Sequence, residues 1–235
     1  MEYFPSEDRA AVDKCQQAVA RAEFYVGIYA HRYGWVPTPE QIGQQWDSRT
    51  RALVIATPSN PTGAVLTLDQ LGGISARVAE LGGALIVDEI YQGLSYEVEP
   101  ITALSLDTDY LFVVNSFSKY FGMTGWRIGW LVVPESFVPV MDRLAQNLYL
   151  SAPTLAQYAA LAAMQPETVA ILEERRAEFR RRRDFLYPAL QKLGFGLAAK
   201  PQGAFYLYAD CSQLTDDSFA FCEHLLEAAG VAITP

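Results

Sequence analysis

The residues Ala84-Leu85-Ile86-Val87 run without a polar side chain straight into the carboxylate pair Asp88-Glu89. A continuous apolar run of this length reads as a buried strand of a parallel sheet. Two further runs share the form. Residues 53–55 lead into Ala56-Thr57-Pro58-Ser59-Asn60-Pro61-Thr62-Gly63, and residues 110–114 lead into a stretch rich in Ser, Lys and Gly. Thr67 and Asp69 open a helix through Leu81, and Gly82-Gly83 stops it. Strand, helix, strand in repetition predicts an α/β fold, a mostly parallel sheet flanked by helices. Such sheets hold ligands outside the carboxyl ends of their strands.

Downstream, residues 126–133 read as another strand, closed by Pro134. Helices are expected at 135–148 and 154–164, and a long one at 167–193 with Pro188 as a kink point. The charge run from Glu173-Glu174-Arg175-Arg176 through Arg183 reads as a solvated helix face bridging two domains rather than an anion site. A small α+β unit follows Gly194, with a strand at 204–209 and a helix at 216–229. The expected division is an N-terminal segment 1–46, a large domain 47–170 and a small C-terminal domain 171–235.

The stretch after residue 114 carries chemistry: Ser116-Phe117-Ser118-Lys119-Tyr120-Phe121-Gly122-Met123-Thr124-Gly125-Trp126-Arg127. A lysine beside hydroxyls and an arginine suits a site that holds an aldehyde and a phosphate together. The amine can form a Schiff base, and the hydroxyls and guanidinium can hold the phosphate. Pyridoxal phosphate carries both groups. Taken alone, the lysine reads first as a surface residue followed by a Gly-rich turn, since most lysines are solvated, and the further motifs reverse that reading. A carboxylate at a buried strand end is expensive unless it meets a cation, which singles out Asp88; Glu89 is open to a helix-capping role. The Asn60-Pro61-Thr62-Gly63 run is a turn at a strand end, and Lys200-Pro201-Gln202-Gly203-Ala204-Phe205-Tyr206 a turn leading into a strand.

In this order the Asn-Pro-Thr-Gly turn, the Asp-Glu-x-Tyr strand end and the Ser-x-Ser-Lys-x-x-Gly-x-x-Gly-x-Arg run resemble the class I/II aminotransferases of fold type I, from about Trp46 to Pro235. The resemblance implies an incomplete fold-type I large domain plus a small C-terminal domain, dependent on pyridoxal 5'-phosphate. It implies Lys119 as the Schiff-base lysine and proton-transfer base, and Asp88 as the partner of the pyridine nitrogen. Tyr91 and Asn60 would bond the ring's phenolic oxygen. Ser116, Ser118 and Arg127 would hold the phosphate, and Gly203 would sit in a turn approaching the site. The implied reaction moves an amino group between an amino acid and a 2-oxo acid, in a cytoplasmic homodimer. The alternatives are a pyridoxal-phosphate C–S lyase and an inactive remnant acting as a binding module. Residues 1–37 resemble a fragment of a flavodoxin- or TIR-like bacterial domain. The family's carboxylate-gripping arginine and its N-terminal Gly-rich turn have no counterpart here, so the chain reads as truncated or rearranged.

With 51% hydrophobic residues in 235, a substantial core is expected. The net charge of −9 disfavours nucleic acid and anionic membrane surfaces. No apolar stretch approaches a membrane span, and no signal-peptide pattern opens the chain. Cys15, Cys211 and Cys222 read as scattered buried thiols, and with His31 and His224 the only histidines, no metal site is expected. Residues 144–170 contain no lysine or arginine, which argues mildly against dicarboxylic substrates, whose side-chain carboxylate a second arginine binds in aspartate-type members of the family the chain resembles.

Overall fold

The computed structural model describes residues 36–235 and the strand Tyr25–Ile28. Apart from that strand, the reading of the first part of the chain as a fragment of another domain lies outside the described residues. Five strands form one sheet in chain order: β1 (Tyr25–Ile28), β2 (Thr50–Ala56), β3 (Ala84–Asp88), β4 (Leu111–Ser116) and β5 (Gly129–Val132). The first four are parallel, and β5 runs antiparallel to β4. β5 is shorter than the expected 126–133. Thr124–Trp126 forms a single 3₁₀ turn and Arg127 adopts the left-handed conformation, so the ladder begins only at Gly129.

Two short helices cover one face. α1 (Pro39–Gln45) and α2 (Leu68–Glu80) each begin with a reciprocal cap, Thr38 with Gln41 and Thr67 with Gln70. Beneath them alternate residues of the strands form the core: Leu53 and Ile55, Leu85 and Val87, Leu111 and Val113, against Ile42, Leu71, Ile74 and Val78. Each such aliphatic side chain contributes about 1.5–3 kcal/mol by leaving water. The apolar run in β3 predicted burial on both faces. Only one is fully covered, for Ile86 on the other face is half-buried and Val114 of β4 is exposed.

α3 (Val138–Leu148), α4 (Thr154–Ala163) and α5 (Pro166–Lys192) follow. α5 passes Pro188 without ending. Its inward stripe is Leu172, Arg176, Phe179 and Arg183, spaced four, three and four residues apart. Two arginines of the expected solvated run therefore belong to the packed face, and Arg183 is 6% exposed. The expected strand at 204–209 does not form. The backbone there pairs only at the isolated bridges Ser95–Gly203 and Gly196–Asp210, so no ladder extends it. α6 (Ser218–Ala229) starts on the side chain of Asp217 and stops at Gly230. Cys211 and Cys222 are half-exposed free thiols rather than buried ones, and Cys15 lies outside the described residues. Among the described residues no helix is long and apolar enough to cross a membrane.

Candidate active site

Parallel register aligns the carboxyl ends of β2, β3 and β4: Ala56 stands beside Asp88, and Asp88 beside Val114. Two further bonds, Thr57 N to Asp88 O at 3.0 Å and Glu89 N to Val114 O at 2.9 Å, extend the alignment past the strands. The loops bearing the three sequence motifs therefore leave the sheet from one edge.

Consecutive carboxylates at the end of β3 take different roles. Glu89 is 2% exposed and accepts from Ala103 N at 2.6 Å and Thr102 Oγ1 at 3.0 Å, which caps the 3₁₀ turn Ala103–Ser105. Asp88 accepts from Ile90 N at 3.0 Å. Burial pushes its carboxyl above the usual range, while the Ile90 amide and the charge of Lys119 pull it down. Asp88 is a half-buried carboxyl group whose charged form gains from a cation beside it.

Lys119 sits past the end of β4 in a turn closed by Gly122 N to Lys119 O at 3.0 Å and Thr124 Oγ1 to Ser118 O at 2.7 Å. Its Nζ lies 5.4 Å from the centre of the Tyr91 ring and 5.7 Å from that of Phe205. Tyr91 is 2% exposed, and its hydroxyl lies 2.5 Å from that of Tyr206. Both Phe205 and Tyr206 meet the Tyr91 ring edge-on. Phe179 of α5 stacks on Phe205.

The hydroxyls of Ser116 and Ser118 are 2.9 Å apart, and Ser116 Oγ also accepts from Ser118 N at 3.0 Å. Arg127 is exposed and holds φ 52°, ψ 52°, a conformation that costs a non-glycine residue about 1–2 kcal/mol. Its guanidinium donates to Thr124 O at 3.0 Å. Asn60 is exposed on the turn after β2. The structure thus brings Asp88, Tyr91 and Lys119 into one cluster and Ser116 and Ser118 into a pair, with Asn60 and Arg127 on exposed segments of the loops beyond β2 and β4.

Gly203 reaches this edge from far along the chain. Gly63 O accepts from Gln202 N at 3.0 Å and Gly203 N at 2.9 Å. A Cβ on Gly63 would stand 2.5 Å from Gly203 O, and one on Gly203 would stand 2.5 Å from Pro58. The turn after β2 is thereby docked on the turn before Phe205, and only glycines allow that approach. α5 ties the same parts together. Arg183 donates to Pro201 O at 2.7 Å and to Glu97 at 2.6 Å, and Arg176 Nη1 donates to Ser95 O at 3.0 Å. Tyr120, next to the lysine, donates to Glu173 at 2.6 Å.

Sequence reasoning missed Tyr206 and Phe205 as site residues. The signal is their position three and two residues after Gly203, whose turn the sequence reads as leading into a strand. As a donor set, an amine, a half-buried carboxylate, a phenol, paired hydroxyls and a guanidinium fit an aldehyde-bearing, phosphorylated pyridine such as pyridoxal phosphate.

A family model described as aminotransferase class I and II matches residues 17–235, beginning well before Trp46. A valine–pyruvate aminotransferase of Mycobacterium tuberculosis is 41% identical over 200 residues, which is 85% of this chain and 51% of that protein. An aspartate/prephenate aminotransferase of Thermus thermophilus is 39% identical over 204 residues, 86% of this chain and 52% of that protein. The crystal structure of an aminotransferase from Mycobacterium tuberculosis superposes with a TM-score of 0.80 at 40% identity, covering 86% of this chain and 52% of that one. The chain spans about half the length of these relatives.

Proposed function

The chain belongs to the class I and II aminotransferases, and from that premise we propose that it binds pyridoxal 5'-phosphate at the edge formed by β2, β3 and β4 and transfers an amino group between an amino acid and a 2-oxo acid. When bound, the cofactor supplies a carbonyl carbon open to amines and a ring that spreads the charge of a carbanion. The remaining work falls to this chain's residues. Lys119 holds its amine among aromatic rings, where its Nζ would carry a proton from the substrate α-carbon to the carbon that was the cofactor's carbonyl. Asp88 holds a positive charge at the pyridine nitrogen, because a half-buried carboxylate gains most from an adjacent cation. Tyr91 and Asn60 donate to the ring's phenolic oxygen. Ser116, Ser118 and Arg127 hold the phosphate, with the guanidinium able to make a two-pronged contact.

The observation that supports this reading best is the juxtaposition of Lys119 with Asp88 and Tyr91 at one sheet edge. The test is the visible absorption spectrum of the purified chain mixed with pyridoxal phosphate, beside Lys119→Ala. A yellow band in the native chain that Lys119→Ala abolishes supports the reading, and no lysine-dependent band overturns it. Given the band, mixing with an amino acid and a 2-oxo acid should yield the exchanged pair without ammonia; release of ammonia would instead assign a lyase.

A further inference from the structure

Tyr91 is nearly sealed from solvent, and its hydroxyl meets a second hydroxyl, that of Tyr206, at 2.5 Å. That separation is at the short end for O–H···O bonds. The two phenols come from segments 115 residues apart, β3's exit loop and the stretch after Gly203. Phe205, Phe179 and Tyr120 pack around them. Asp88 is the charged group facing Tyr91 from its own loop, and Lys119 is the one facing it from the loop after β4.

We propose that Tyr206 is a positioning residue for Tyr91, donating its proton to the Tyr91 oxygen so that the Tyr91 proton is aimed away from it and into the site. The proposal rests on the cofactor reading above. A phenol has one proton to donate. If Tyr91 spent its proton on Tyr206, it would have none for the cofactor's phenolic oxygen. If it accepts from Tyr206, its own proton is free, and the two bonds in series polarise each other. The ring–ring contacts hold both hydroxyls in place, so this orientation costs no rotation when the cofactor binds. Burial is the first cause that pushes the Tyr91 phenol well above its usual range, which keeps it protonated.

The experiment follows the visible absorption of bound pyridoxal phosphate as a function of pH in the native chain, Tyr206→Phe, Tyr91→Phe and the double variant. Donation to the phenolic oxygen favours its ionised form, so weakening the donor moves the midpoint of the spectral change upward. Tyr206→Phe should raise that midpoint by about 0.5–1 pH unit, the equivalent of one hydrogen bond. In the Tyr91→Phe background the same change should produce no further shift, because Tyr206 acts through Tyr91. Thermal unfolding of the four chains without cofactor separates a merely structural role. A lower unfolding temperature for Tyr206→Phe with an unmoved midpoint overturns the proposal, as does an equal shift in both backgrounds. A native chain with no lysine-dependent band removes the cofactor reading and this proposal with it, whereas a band with an unmoved midpoint removes only the role of Tyr206.

Discussion

Gly63→Ala tests whether the site edge depends on the docking of two distant turns. The residue has φ +66°, and its carbonyl accepts from Gln202 N at 3.0 Å and Gly203 N at 2.9 Å. An added Cβ would lie 2.5 Å from Gly203 O and 2.6 Å from Pro201 Cβ. Neither is the free end of a flexible side chain, so the turns must separate. The conformational part costs about 1 kcal/mol, and losing the two hydrogen bonds adds about 1 kcal/mol each. The expected loss is about 3 kcal/mol. Gly82→Ala is the internal control. Gly82 has φ +69°, but a Cβ there meets nothing within 4 Å, so it should lose only the conformational part, about 1 kcal/mol. Urea unfolding of the three chains measures both losses. The cofactor's visible band should weaken in Gly63→Ala and persist in Gly82→Ala. Two variants within about 0.5 kcal/mol of each other, less than one hydrogen bond, would refute the docking argument.

Asp88→Asn should stabilise the chain at neutral pH while weakening its hold on the cofactor. Burial raises the folded carboxyl above 3.8, so the cost of its charge is absent below pH 3.8 and sets in as pH rises through the folded value. Urea unfolding at pH 8 and pH 4 should show a gap between variant and native that closes at the lower pH, and a gap that widens there would refute the assignment. Arg183→Ala removes a guanidinium that is 6% exposed, bonded to Pro201 O, Glu97 and Asp184, and set over the Tyr96 ring at 4.9 Å. Glu97 and Asp184 are nearly half exposed and water recovers them, so the expected loss is about 2–3 kcal/mol, below that for a fully buried pair. Arg183→Lys should restore less than half of it, since an ammonium cannot make the fork. Equal stabilities of Arg183→Ala and the native chain in urea would exclude a stabilising role for these Arg183 contacts.

The features legible in the sequence were those fixed by local chemistry. Apolar runs followed by turn residues located β2, β3 and β4, and the capped start at Thr67 with the glycine stop at Gly82 bounded α2 within a residue. The contrast between Asp88 and Glu89 was legible as well, because successive residues at a strand end point to opposite sides. Features that depend on distant partners were not. The missing ladder at 204–209 could not be foreseen, because a strand is defined by its neighbour and Phe205–Tyr206 turn their side chains into the Tyr91 cluster instead. The Tyr91–Tyr206 contact and the Gly63–Gly203 approach join segments more than a hundred residues apart.

The arginines of α5 show why helical period outranks composition. Residues 180–183 look alike in sequence, yet Arg180, Arg181 and Arg182 are exposed and Arg183 is buried. Arg183 falls seven residues after Arg176, two turns on, with Phe179 between them on the same stripe. Aliphatic residues at those places would bury area but could not satisfy the carbonyls of Ser95 and Pro201, which the two guanidinium groups do at 3.0 and 2.7 Å. Those carbonyls belong to the loop after β3 and to the turn that docks on Gly63. A polar stripe on α5 therefore holds two of the loops that shape the site, and its partner Glu173 reaches the third through Tyr120, beside Lys119. The helix read as a solvated bridge is in this way the element that sets the site's loops against one another.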